Sequence, residues 1–426
     1  MENKKFEIIK DKFTHTELID TVNFNLFICE APPINKIKDS RIIEEFKTNC
    51  FSGPLKSHVI STMDKNIAEE KLEAANYWGF QLLLSGVGNQ LWNKLISISL
   101  KQINIANPTL PSYILDRTLK WNKLLAQQEY QKKQILNIRN NQEIRNLLIE
   151  FISLLTLSRK RKMESLPKIK QEDFSVKIFK NKLEAKNTDE INYILKEQDP
   201  SEIRIAANEF LYQMKNKNIN KSFYWLSWML EWEKINFKKY KIYKVGSRFK
   251  NGIDEKFSHN LIWLIWDIVD FVKKGDFDVG FNSQKELNAL WELYKIDFNL
   301  GSRTKKLIYL LWSIKILTSK TDWKLKLIER EEVFFHAVAN VNLMIQKIKP
   351  DEINKSIYKD KKFNIMIQNN YISPEKKNQM IDEQRRKIME KQRLKRKKEA
   401  KKKKISMASL DKIDQLKKMD SRIFNI

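Results

Sequence analysis

The chain has 426 residues, 42% hydrophobic and 11% aromatic, enough apolar material for one large or two medium cores and too much for a chain disordered throughout. Against 53 Asp and Glu stand 80 Lys and Arg, a formal charge of +27 that points to a polyanionic partner: DNA, RNA or an acidic membrane face. AT-rich coding sequence also inflates Lys, Asn and Ile, so the total charge says less than where the charge clusters.

The low turn density, 9 Gly and 9 Pro, argues against an all-β fold, while long segments carry apolar residues at helical spacing; the expected class is all-α. Cys29 and Cys50 are the only cysteines, which excludes a disulfide framework and a four-cysteine zinc site and suits a reducing, intracellular compartment. Residues 1–12 mix Lys and Glu without the apolar centre of a secretory signal. The longest apolar runs, 147–157 and 261–272, are about half of the ~20 residues a membrane span needs and are interrupted by carboxylates, so no membrane span is expected.

Residues 1–55 form an N-terminal region of uncertain structure, where Ala31, Pro32 and Pro33 and the alternating Phe24, Leu26 and Ile28 suit a short extended segment. A first helical unit is expected over 56–160. It opens with a helix from about His58 to Ala68, continues through EAANYWGFQLLL with Tyr77 and Trp78, and closes with the apolar stripe of residues 144–160. Residues 161–198 read as a linker and connecting helix, basic at first and broken by Pro167. A second helical unit is expected over 199–350. Asp199, Pro200 and Ser201 signal the start of its first helix, which runs from about Glu202 to Lys215, and KSFYWLSWML follows with Tyr224 and Trp225.

These two stretches repeat one pattern. Each has a helix, then a Tyr-Trp pair on an apolar stripe, then a later apolar helix ending in Ser-Arg-Lys (residues 158–160) or Ser-Lys (Ser319 and Lys320). The Tyr-Trp pairs lie about 147 residues apart and the later helices about 160 apart, so the second copy holds an insertion of about 13 residues. Tyr77, Trp78, Tyr224 and Trp225 are the expected core markers of the repeat, and the other tryptophans on helical stripes are expected to fill cores rather than stack on a ligand.

The insertion falls at 236–257, where no helical stripe is visible. It carries Lys238, Lys239, Lys241, Lys244, Arg248 and Lys250, with Phe237, Tyr240, Tyr243 and Phe249 interleaved. Cations beside rings suit a nucleic-acid surface, and a solvated hairpin whose rings pack back on the domain is the equal alternative.

Residues 351–426 form a basic helical tail, with Ser373, Pro374 and Glu375 as a helix start. Its core is RRKIMEKQRLKRKKEAKKKK at 385–404: Arg385, Arg386, Lys387, Lys391, Arg393, Lys395, Arg396, Lys397, Lys398, Lys401, Lys402, Lys403 and Lys404. Too few apolar residues remain there for a buried face, so electrostatic, sequence-independent binding of nucleic acid, DNA ahead of RNA, is the leading expectation. A localisation signal, an acidic protein and an anionic membrane surface are the alternatives. Residues 407–419 return a short amphipathic pattern that suits a docking helix.

A family resemblance enters on the residues of the first unit. VISTMDK at 59–65, EAANYW at 73–78, LLLSG at 82–86, Leu91 with Trp92, and INIANP at 103–108 together resemble the C-terminal domain of the RarA/MgsA group of clamp-loader-type AAA+ ATPases, which act at replication forks. The resemblance covers roughly 50 residues. It implies a helical, collar-like unit used for oligomerisation, here used twice. It does not carry ATPase activity, because the chain has no G-x-x-x-x-G-K-[ST] loop to wrap phosphates. The run from Tyr224 to Glu233 is also similar to proteins of large AT-rich DNA viruses, which implies a setting in a virus factory, host nucleus or virion.

Catalytic and metal motifs are not apparent. His15, His58, His259 and His336 are scattered, so no metal site is expected, and Asp276 to Gly280 departs from a calcium loop. Asp267 with Asp270, and Glu231 with Glu233, read as partners of nearby lysines. The turns Gly246-Ser247-Arg248 and Gly301-Ser302-Arg303 are weak candidates for holding an anion on backbone amides. The sequence therefore predicts a non-enzymatic nucleic-acid-associated accessory protein without cofactors, built of two helical units that hold protein partners or copies of the chain. The alternative is a structural scaffold of a virion or assembly that self-associates through those units.

Overall fold

Apolar residues at i, i+3 and i+4 recur over most of the chain, and among the described residues this periodicity goes with a helical fold. The computed structural model describes residues 36–39, 41–129, 134–241, 245–275, 280–348 and 390. Among them the fold is all-α: fourteen α-helices, short 3-10 turns and a single isolated bridge between Asn49 and Leu55, with no sheet. The expectations for residues 1–35, the helix start at Ser373, the basic core 385–404 and the docking helix at 407–419 lie outside the described residues, Glu390 excepted.

The described residues divide into two compact units. The first draws on Met1–Glu164, Val279–Ile316 and Lys320–Glu352, the second on Ser165–Asp278 and Leu317–Ser319. In the first, α1 (Lys56–Ala68) and α2 (Leu72–Leu84) form an antiparallel hairpin, followed by α3 (Gly88–Ile98), α4 (Leu110–Glu129), α5 (Gln134–Asn140) and α6 (Gln142–Leu157). Helix α6 is buried along nearly its whole length against the hairpin. Its core is an aromatic stack: Trp92 lies flat on Trp121, centroids 4.5 Å apart and planes at 12°, with Phe151 of α6 at 4.8 Å. The indole N–H groups are satisfied inside, Trp92 donating to Thr118 Oγ1 and Trp121 to Asn89 Oδ1.

The second unit is built on α7 (Val176–Lys180), the hairpin of α8 (Ser201–Lys215) and α9 (Ile219–Tyr240), and α10 (Leu261–Gly275). Residues 161–198, expected as a linker, are instead partly built into cores. Met163 is buried, and its backbone N–H donates to the Lys101 carbonyl in the first unit. Phe174 and Phe179 pack on Trp228 and Trp225 of α9, with centroids 4.9 to 5.4 Å apart, and the Trp228 indole donates to the Asp173 carbonyl. The density of lysines hides these two anchoring rings in the sequence.

The expected second unit, 199–350, differs from the observed division. Its later helices, α11 (Phe281–Lys295), α12 (Arg303–Thr318) up to Ile316, α13 (Glu331–Ala339) and α14 (Val341–Gln346), belong to the first unit. Helix α11 packs on α4, α13 on α6, and α14 on α2. Polar contacts fasten them: Asn342 Oδ1 accepts from buried Arg145, and the Leu327 carbonyl accepts from Asn107.

The two hairpins share one connection to a fine level. Each link is three residues, Glu69, Glu70 and Lys71 in one, Asn216, Lys217 and Asn218 in the other, and the middle residue is left-handed in both, with φ of 58° at Glu70 and 56° at Lys217. In both the last link residue donates back across the helix end, Lys71 to the Asn66 carbonyl and Asn218 to that of Gln213, closing a Schellman motif. From there the Tyr-Trp pair follows at the same place in α2 and α9, the two rings edge to face at 5.2 Å in each case. The hairpins then diverge. Helix α2 ends in a second Schellman turn at Gly86, whose φ of 76° suits glycine, whereas α9 runs on without a break to Tyr240.

A side chain in the left-handed region costs about 1 to 2 kcal/mol over glycine, offset by roughly 0.5 to 1 kcal/mol of glycine's extra unfolded freedom. Lys217→Gly is therefore expected to stabilise the second hairpin by up to about 1 kcal/mol, and Lys217→Ala not to, as measured by urea unfolding.

Candidate nucleic-acid interface

The basic insertion is where sequence and structure meet most sharply. Residues 236–240 extend α9, so the helix carries Asn236 into the core beside Ile235, its side-chain amide donating to the Trp232 carbonyl, and ends with Lys238 and Lys239 exposed in its last turn. Lys241 is the exposed cap, left-handed at φ 62°. Cations there complement the negative end of the helix dipole, and their side chains face solvent. These three remain as candidates for phosphate contact. Lys244 lies outside the described residues.

Arg248 and Lys250, expected at phosphates, are instead committed to the protein's own carboxylates. Arg248 is only 3% exposed. Its guanidinium forks onto the Asp199 carboxylate, donates from Nε to Asp267 Oδ2 at 3.0 Å, and reaches the Gly246 and Ile194 carbonyls. Lys250 pairs with the other Asp267 oxygen. Burial pushes the Asp199 carboxyl up, but hydrogen bonds from Arg248 and from the Lys196 and Gly246 N–H groups, with the arginine's charge, outweigh it and hold the group below its usual range. At the Gly246 turn, read as a weak candidate for holding an anion, the backbone amide is taken by the protein's own Asp199: the Gly246 N–H donates to Oδ1 at 2.8 Å. A Cβ at Gly246 would lie 3.1 Å from the Lys196 Cβ, so the residues around Lys196 and Gly246 are in close contact.

The other acidic pairs also act structurally. Asp270 bridges Lys273 and Lys274, Glu231 pairs with Lys234, and Glu233 accepts from the Leu261 N–H at the start of α10. At the second glycine turn, the Ser302 N–H donates to Asn299 Oδ1 within the loop. Among the described residues no group of three or more His, Cys, Asp and Glu is placed to hold a metal ion, and no helix is long and apolar enough to cross a membrane. Asp276 to Val279 lie outside the described residues.

Of the four expected core markers only Trp225 is buried. Tyr77, Trp78 and Tyr224 are half-buried. The reason is local: Phe179 of α7 sits edge-on against Trp225, whereas Trp78 faces the edge of His58. The Tyr224 hydroxyl donates to Asp173, and burial first, then that carboxylate, raises its pKa. The other tryptophans follow expectation: Trp92, Trp121, Trp228, Trp232, Trp263, Trp266 and Trp312 are all buried, and Trp291 is half-buried.

Three titratable groups that sequence reasoning missed have strongly shifted pKa values, and each is bound to a helix end. Glu286 of α11, 2% exposed, accepts from the Ser112 N–H and hydroxyl, both at 2.7 Å, at the N-terminus of α4. Burial drives its carboxyl up to about 7 despite those donors. Lys306 donates to the Leu293 and Ile296 carbonyls at the end of α11, and Lys160 to the Thr156 and Ser158 carbonyls at the end of α6; burial brings each down to about 8. Such groups serve as caps for helix ends. Compared with known proteins, the chain matches no family, no curated sequence and no solved structure.

Two stability outcomes follow from these contacts. Arg248→Ala leaves Asp199 buried without its counter-charge and is expected to cost about 3 to 5 kcal/mol in urea unfolding, with Arg248→Lys only partly restoring the fork. Glu286 has a folded pKa above its unfolded value of 4.5, so the native state binds the extra proton and stability falls as pH rises from about 4.5 to 7. The loss is on the order of 3 kcal/mol. Glu286→Gln is expected to remove that slope, matching the parent near pH 5 and exceeding it at pH 8 in thermal melts.

Proposed function

We propose that this chain is a non-enzymatic accessory protein that binds nucleic acid, DNA in the first instance, without sequence preference, and that its helical units hold protein partners. The observation that carries the reading is the charge distribution. Residues 353–426 hold 23 Lys and Arg against 9 Asp and Glu, while residues 165–278 hold 21 against 17. Thirteen of the twenty residues at 385–404 are basic, too dense to be absorbed by internal pairs of the kind that engage Arg248 and Lys250. Lys238, Lys239 and Lys241 add an exposed cluster at the end of α9.

The non-enzymatic part of the reading draws on three of the perturbed groups, Glu286, Lys306 and Lys160, each of which is spent on a helix end. The resemblance of residues 59–108 to the clamp-loader collar supports a collar-like unit and a role beside DNA replication or genome handling, the shared connection supports duplication of its hairpin, and the similarity of residues 224–233 to proteins of large AT-rich DNA viruses supports a viral setting. A self-associating scaffold is the second reading. Phe281, Val333 and Leu343, exposed apolar side chains on α11, α13 and α14, favour it, and a high-mass species in light scattering of the purified chain would support it.

Fluorescence anisotropy with a DNA duplex across a salt series tests the first reading. Six to ten phosphate contacts make affinity fall by roughly 10³ to 10⁵ between 50 and 200 mM salt. Deleting residues 385–404 is expected to weaken low-salt binding by at least about 100-fold and to flatten the salt slope by several units. Equal affinity and an equal slope in the deleted chain would sink it.

A further inference from the structure

Tyr193 and Phe249 are among the most exposed large side chains of the molecule, at 84% and 66% of their full accessible surface. They are 56 positions apart in sequence, yet the structure sets them on adjoining segments. The carbonyl of Ile194, the residue after Tyr193, accepts from the guanidinium of Arg248, the residue before Phe249. The two rings thus stand on strips of backbone separated by no more than one arginine side chain.

That spacing is held firmly. Asp199 receives N–H groups from both strips, Lys196 and Gly246, as well as the Arg248 fork, and Lys196 Nζ donates to the Ser247 carbonyl. Ile191, two residues before Tyr193, is fully buried and anchors the 3-10 turn Glu190–Tyr193. Exposing two rings on so rigid a base gains nothing for folding, since the same rings turned inward would each add to the core.

We infer that Tyr193 and Phe249 form a stacking platform for the bases of single-stranded nucleic acid. The inference rests on the reading that the chain binds nucleic acid, and adds which form of it this face takes. The surroundings of the rings are polar and exposed: Asn192, Lys196, Glu197 and Gln198 on one strip, Asn251 on the other. An apolar protein partner calls for a contiguous patch, whereas a nucleobase offers a flat π-face with a polar rim and matches a ring set among polar groups. Paired bases in a duplex have no free face to offer. The segments that bear the rings hold charges of both signs, Lys196, Arg248 and Lys250 against Asp189, Glu190, Glu197 and Asp199, and Arg248 and Lys250 are already paired. Stacking therefore supplies the affinity here, and phosphate neutralisation falls to the lysines at the end of α9 and to residues 385–404.

Two features of binding separate these contributions: ring loss lowers single-strand affinity at every salt concentration, and cation loss changes the salt slope. The test uses the full chain with a labelled oligothymidylate and a blunt duplex of equal length. Tyr193→Ala/Phe249→Ala is expected to weaken oligothymidylate binding about tenfold or more, to leave duplex affinity within about twofold, and to leave the salt slope and thermal melt unchanged. Tyr193→Trp/Phe249→Trp, which keeps a ring at each place, is expected to bind the single strand at least as well as the parent. Unchanged single-strand affinity in the alanine variant, or an equal loss on duplex, overturns the platform while duplex binding by the parent chain keeps the broader reading. Binding of neither probe by the parent chain overturns both.

Discussion

The Arg248 guanidinium is the contact on which the second unit's surface depends. Five N–H contacts and two carboxylates meet there, drawing the segment around Ile194 to Asp199, the turn at Gly246 and helix α10 onto one point. A buried cation of this kind is costly to desolvate and is tolerated only when its fork is fully used. The first unit solves the same problem in the same way. Arg117, 1% exposed, donates from Nε to Glu150, which also accepts from the hydroxyl of Tyr113, whose ring meets Phe151. In a chain so rich in cations, placement of the few that go inside determines which loops are fixed, and fixed loops are what can present side chains to a ligand.

Helix-end chemistry supplies the second layer of order. Glu286 holds the start of α4, Lys306 the end of α11, Lys160 the end of α6 and Glu233 the start of α10. Each joins a side chain from one segment to the unsatisfied backbone groups of another or of its own helix, so the polar groups that a helix leaves open become tertiary contacts. That α11 belongs to the first unit is a consequence: its buried carboxylate serves α4, and its apolar face lies on the same helix.

How much of this was legible depends on whether the determining contact is local. Helix positions follow from periodicity, and the start at Ser201, the Tyr-Trp helices and the length match of α6 and α12 all came from patterns within a few turns. The shared hairpin link was legible only as a spacing, because nothing in Glu70 or Lys217 announces a left-handed residue; the constraint comes from closing the Schellman turn. The fate of Arg248 was not legible at all. Its carboxylate partners are 49 and 19 positions away, and a lysine-rich loop reads as solvated whichever of its cations turns inward. Tyr193 was missed for the converse reason, since a lone ring in a stretch taken for a linker carries no periodic signal. The membership of α11 to α14 was misread because linear order suggests contiguous units, while buried contacts such as Glu286 to Ser112 span 174 residues.

Within the charge of +27, residues 165–278 and residues 353–426 form two populations with different physics. In the second unit's body, 21 cations face 17 carboxylates, and many are matched in pairs that tie the surface together: Lys215 with Glu190, Lys221 with Glu184, Lys256 with Asp254, Lys250 with Asp267. Cations so engaged do little for a polyanion at a distance, because each carries its own counter-charge well inside a screening length. Residues 353–426, with 14 more cations than carboxylates, lack that internal match by composition alone. On the proposed reading, long-range attraction and salt sensitivity fall to the C-terminal residues, and short-range discrimination to what the second unit presents. Rings on a base fixed by Arg248 suit the second task, because a stacked base is recognised only if its platform does not have to be ordered at the moment of binding.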